Sequence, residues 1–136
     1  MICIYCGGDT KVINSRLQKR NNQVWRRRQC LVCQSVFTTH EQIEYSSALS
    51  VEGPDGTQPF LPGLLLNELY QALAHRKDVY TASEEVLAIV IRNLLKLPSS
   101  PLFKPSDITG VTSGVLKRFD RRAYLRHLVD HPSLQA

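Results

Sequence analysis
Outside Cys3, Cys6, Cys30 and Cys33 the chain has no cysteine. It has one tryptophan and one methionine. No window of ~18 apolar residues occurs, so no transmembrane helix and no membrane partner are expected. Met1-Ile2-Cys3-Ile4 carries no basic lead and no long apolar stretch, and a secretory signal is not expected. A glycine-rich phosphate loop is missing. No His, Cys or Ser stands beside a partner suited to activate it. His75, His127 and His131 are scattered and are expected at the surface. Together these absences speak against a membrane protein, a P-loop nucleotidase and a nucleophilic hydrolase. The chain is not expected to be an enzyme.

Acidic residues are scarce in one half only. Residues 1–50 hold seven Lys/Arg against three Asp/Glu, while residues 51–136 hold ten against nine. Nearly all of the formal charge of +5 therefore sits in the first half. That asymmetry points to a polyanion, nucleic acid first. A merely solvated basic face is the plainer alternative. The overall composition, 43% hydrophobic and 21% charged, is that of a globular protein.

The cysteines form two Cys-x-x-Cys pairs, with Arg26-Arg27-Arg28 just before the second. A two-residue spacer lets both thiolates of a pair reach one ion from a tight turn. Two such pairs at this separation predict one tetrahedral Zn²⁺ site per chain. Two disulfides are the alternative, but adjacent pairs are poorly placed to staple distant loops. Gly7 and Gly8 follow the first pair, where a metal knuckle needs positive φ.

Between and after the pairs the pattern is of strands: Lys11–Arg16, Gln23–Gln29 and Gln34–Glu41, with a turn at Asn21-Asn22. A three-stranded antiparallel sheet with two knuckles is a zinc ribbon. It holds too little apolar surface to fold without its metal. Alternation puts Arg26 and Arg28 on one face and Arg27 with Trp25 on the other. Four thiolates around Zn²⁺ leave a formal −2, which Arg28 could simply neutralise. Arg16, Lys19, Arg26, Arg27 and Arg28 exceed that need and suit double-stranded DNA, mainly its phosphates. Trp25 suits burial against Val12 or Phe37, with base stacking as the alternative. His40 reads as a surface or packing residue, since four sulfurs already close the site.

A second module is expected over residues 48–136, after a ribbon of residues 1–47. Gly53-Pro54-Asp55-Gly56 predicts a hairpin between Ala48–Val51 and Gln58–Phe60. Helical patterning follows. The first helix is expected over Pro62–Lys77, with Leu66, Leu69, Tyr70 and Leu73 on its apolar face. The second is expected to start at a Thr81–Glu84 capping box and to stop at Pro98. Leu97–Pro105 reads as a flexible loop. Ser106 is expected to cap a third helix, and Asp120 to start or continue a last one through Ala123, Tyr124, Leu125, Leu128 and Val129. The fold class is α+β: a zinc ribbon followed by a small helical bundle capped by a hairpin.

Several stretches resemble the NrdR family of bacterial transcriptional repressors of ribonucleotide reductase genes. They are Cys3-Ile-Tyr-Cys6, Thr10–Arg16, Arg26–Cys33, Phe37-Thr38-Thr39 and Glu41 in the ribbon, and Leu116–Asp120 with Ala123–Arg126 near the end. The resemblance implies a cytoplasmic, zinc-dependent repressor that binds paired operator boxes. Its second half would be an ATP-cone, a homo-oligomerising domain that binds ATP or dATP and so tunes DNA binding. Val51, Asp55, Gly56 and Phe60 are the hairpin positions carried over to that nucleotide site. The hairpin also departs from the family pattern. Gly53 and Pro54 stand where a basic pair is expected, and Leu61–Leu64 lacks the lysine expected after Phe60, changes that weaken triphosphate binding. His127-Leu128-Val129-Asp130-His131 replaces an aromatic-rich ending. A zinc-ribbon RNA-binding or protein-assembly factor with a non-sensing helical half is the alternative reading.

Overall fold
A computed structural model describes residues 1–135. The chain is α+β and divides into two compact units, Met1–Ile43 and Glu44–Ala136. Among the described residues no helix is long and apolar enough to cross a membrane.

The first unit is an antiparallel sheet of β1 (Thr10–Gln18), β2 (Gln23–Cys30) and β3 (Val36–Glu41), in that order. The ladder from β1 to β2 runs to Gln18↔Gln23, so the first strand is longer than its apolar pattern suggests. Asn22 takes φ 51° in the connecting turn, a conformation asparagine tolerates better than most residues. The register shifts between Val12 and Asn14, leaving Ile13 as a bulge. The buried hydrophobic residues here are Cys3, Cys30 and Phe37. With so small a core, apolar burial alone cannot offset chain entropy.

The second unit begins with a single helical turn, α1 (Tyr45–Ala48). Next come β4 (Ser50–Gly53) and β5 (Gly56–Pro59), a hairpin closed by Pro54-Asp55 with Gly53 opposite Gly56. Gly56 has φ +124°, and a Cβ on Gly53 would lie 3.0 Å from the Gly56 carbonyl oxygen. The turn therefore needs both glycines. Helices α2 (Pro62–Ala72) and α3 (Val79–Leu94) follow, then β6 (Leu102–Phe103), α4 (Pro105–Phe119), α5 (Arg121–Asp130) and a 3₁₀ turn at Pro132–Gln135. Leu69, Leu73, Val86, Val90, Leu94, Phe103 and Leu116 form the fully buried centre of this unit.

Several expectations are corrected here. Leu97–Pro105 is not a free loop: β6 pairs in parallel with β4, Phe103 lies opposite Val51, and Phe103 is wholly buried. Helix α2 stops at Ala72, and its buried face is Leu65, Leu69 and Ala72. Leu66 and Tyr70 are half-buried, with Tyr70 edge-on to Tyr80 at 5.4 Å. Helix α3 starts at Val79, before the Thr81–Glu84 box. Helix α4 is capped by Asp107, whose carboxylate accepts the Lys104 N–H at 2.9 Å, rather than by Ser106. In α5, His127 is buried rather than at the surface.

Asp120 does cap α5, accepting the Ala123 N–H at 3.0 Å. It also holds His75 at 3.1 Å and Arg76 at 3.1 Å, with only 12% of its side chain exposed. Arg76 turns back to Asp78 as well. Burial pushes the Asp120 carboxyl up, but the Ala123 N–H, Arg76 and His75 outweigh it and hold it at about 2. This clasp ties the segment after α2 to the start of α5.

Candidate metal centre and nucleic-acid face
The two knuckles are built alike. The Cys3 N–H donates to the Gly8 carbonyl at 2.8 Å, and the Cys30 N–H to that of Ser35 at 2.9 Å. The residue after each pair, Gly7 or Gln34, takes positive φ (74° and 64°). Backbone N–H groups then point at sulfur: Tyr5 to Cys3 Sγ, and Val32 and Cys33 to Cys30 Sγ, at 3.3–3.4 Å. Gly8 is needed for space, since a Cβ there would meet Val32 Cγ2 at 2.7 Å.

All four Sγ atoms lie within 4.8 Å of one another. The Cys3–Cys33 separation is 3.7 Å and the Cys6–Cys30 separation 3.5 Å. A disulfide would need about 2.05 Å. Tetrahedral zinc with Zn–S bonds of about 2.3 Å sets sulfurs about 3.8 Å apart. The cluster matches zinc and not a bridge, and it can hold one ion. The Ser35 hydroxyl, then the Ser35 N–H, draws the Cys33 thiol down to about 6. The Gly8 N–H lowers Cys6, but the neighbouring Cys30 and Cys33 sulfurs outweigh it and hold that thiol up at about 11, a proton a metal must displace.

The strand register sorts the basic residues. Directly opposed residues share a face. Arg27 lies opposite Asn14 and Thr38, Trp25 opposite Arg16 and His40, and Gln29 opposite Lys11. This face therefore carries Lys11, Arg16 and Arg27, all exposed, and no carboxylate. On the other face, Arg26 donates to Glu41 at 3.0 Å and Arg28 to the Thr39 hydroxyl at 3.2 Å. Phe37, opposite Arg28, packs there with Cys3 and Cys30. Lys19 is exposed in the β1–β2 turn. The five predicted DNA residues are thus divided: Arg16 and Arg27 on the acid-free face, Lys19 at its end, Arg26 and Arg28 behind.

Two further readings change. Trp25 is half-buried but lies on the face opposite Val12 and Phe37, so it packs against neither. Lys11 joins the basic face although simple alternation from Arg16 would put it behind. The bulge at Ile13 makes the difference.

Over residues 1–41 the chain matches the family profile described as "Transcriptional repressor NrdR-like, N-terminal domain". Similarity extends well past the ribbon. A Bordetella pertussis protein named Transcriptional repressor NrdR is 32% identical over 138 residues, covering 99% of this chain and 84% of the relative. A Thermomicrobium roseum protein of the same name is 34% identical over 128 residues, covering 93% and 78%. The chain belongs to the NrdR family. In this NrdR chain the four hairpin positions differ in burial. Phe60 is buried, its N–H bound to the Leu49 carbonyl, and Val51 packs against the core. Asp55 and Gly56 sit exposed at the turn. From Ser50 to Gly63 this NrdR hairpin carries Glu52 and Asp55 and no basic residue.

Proposed function
We propose that this chain is a zinc-dependent, DNA-binding transcriptional repressor of the bacterial cytoplasm, acting through paired operator boxes. The observation that carries this reading is the exposed, acid-free ribbon face of Lys11, Arg16 and Arg27, beside four cysteines spaced for one zinc ion. The names of its NrdR relatives supply the repressor role. Zinc fixes the sheet, the sheet fixes the register, and the register presents the cations to a phosphate backbone. Arg27 and Arg16, both exposed, are the arginines of this face that would read guanine edges or contact phosphates.

The second unit is the assembly half in this reading. Self-association aligns two ribbons with two boxes, and ATP or dATP shifts the population of that assembly. The acidic hairpin opposes a triphosphate in this chain, so assembly is the role we regard as retained. Two measurements test the proposal. Selection of bound duplexes from a random library, with zinc present, should return a repeated box and lose all binding under chelation. Binding without sequence preference would favour a general nucleic-acid or assembly factor instead. Calorimetry with ATP and dATP should give weak heats; micromolar affinity would show that the hairpin tolerates its missing cations.

A further inference from the structure
A second group of metal-ligating side chains lies in the second unit, between α2 and α5. Glu68 comes from α2, His127 from α5, and His131 from the residue that ends α5. One ligand atom from each lies within 4.8 Å of the others. They line a recess of about 230 Å³ together with Gln71, Ala72 and Asp130. The histidines are four residues apart, so one helical turn brings them to the same side. Their ring centroids are 4.4 Å apart, and the His131 N–H donates to the His127 carbonyl at 3.1 Å.

The arrangement is poorly explained as packing. His127 is only 4% exposed, yet its Nε2 is buried with no hydrogen-bond partner among the described residues. Buried polar atoms in native structures are nearly always paired, and an orphan needs a reason. Beside it, His131 Nε2 stands 3.7 Å from a Glu68 carboxylate oxygen, too far for a good hydrogen bond. Three donors therefore converge on a space that none of them fills.

We propose that Glu68, His127 and His131 form a second metal site, for a divalent first-row transition ion of the Zn²⁺ type. Two imidazoles and one carboxylate suit such an ion, whereas Ca²⁺ and Mg²⁺ require oxygen donors. Four-coordinate zinc with bonds of about 2.0–2.1 Å needs donors about 3.4 Å apart. Closing the group to that spacing takes rotation of Glu68, half of whose side chain is exposed, and of His131 at a helix end. His127 stays fixed as the buried anchor. Three protein ligands leave a position for water, with Asp130 on the rim. The bound ion ties α2 to α5. The site stands independently of the DNA-binding reading.

The experiment is metal stoichiometry of the full chain with its cysteine site loaded, equilibrated in buffered low-micromolar free Zn²⁺ and measured by elemental analysis. Two ions per chain are expected for the unaltered protein, and one for His131→Gln and for Glu68→Gln. These two variants alter partly exposed side chains, and circular dichroism checks that the helices persist. The melting temperature of the second unit should also rise with Zn²⁺ in the unaltered chain and not in His131→Gln. One ion per chain in the unaltered protein would overturn the proposal. So would two ions retained in both variants, which would place the extra ion elsewhere.

Discussion

The division of the arginines makes a quantitative prediction. Arg16 and Arg27 are exposed on the face without a carboxylate, whereas Arg26 is paired with Glu41 and Arg28 with Thr39. Each phosphate neutralised on duplex DNA contributes about 0.9 to the slope of log K against log salt, or about fivefold in affinity near 0.15 M salt. Arg16→Ala with Arg27→Ala should therefore lower the slope by about 1.8 per ribbon and weaken binding roughly 30-fold at that salt. Folding stability should change little, because neither side chain is buried. Arg26→Ala with Arg28→Ala should do the reverse. The Arg26–Glu41 pair is 36% and 69% exposed, and such a pair contributes about 0–1 kcal/mol. That double variant should melt slightly earlier and keep its salt slope. The assay is fluorescence anisotropy with a selected duplex over a salt series, with zinc content measured for each variant. An unchanged slope for the first pair and a reduced slope for the second would refute the placement of the DNA face.

Other outcomes follow from the same geometry. Cys30→Ser should release zinc and unfold the first unit while the helical dichroism of the second persists, as metal titration with circular dichroism will check. Phe103→Ala removes a wholly buried ring and should destabilise the second unit by about 3–5 kcal/mol in urea melts. The Asp120 carboxyl is held at about 2, below its usual value near 3.9, so its stabilisation is present above about pH 4 and lost as pH falls toward 2. Asp120→Asn should cost about 1–2 kcal/mol at neutral pH, allowing for screening at this partly open site, and the difference from the unaltered chain should vanish in acid. A constant difference across that range would show that the clasp acts by packing alone.

Much of this molecule was legible from its residues, for local reasons. Paired cysteines at fixed spacing report a metal centre because the chemistry fixes the spacing. Pro54-Asp55 between two glycines reports a hairpin because few other sequences close one so tightly. Asp120 reports a helix start because its carboxylate meets an N–H three residues on. What stayed hidden depends on partners distant in the chain. Leu102-Phe103 is too short to read as a strand and becomes one only beside β4. Helix α3 begins at Val79, before its apparent capping box, with Asp78 at the N-cap position and its carboxylate held by Arg76. His127 looks like a polar helix-end residue, and its burial comes from elements distant in the chain.

The bulge at Ile13 has one more consequence. Lys11 and Arg16 are five positions apart, an odd interval, so an unbroken strand would send them to opposite sides. The extra residue resets the phase, and both project to the side of Arg27. The electrostatic character of this ribbon is thus a matter of frame rather than of composition. Deleting the single neutral residue Ile13 would keep every charge in the sequence and still split the cationic surface in two.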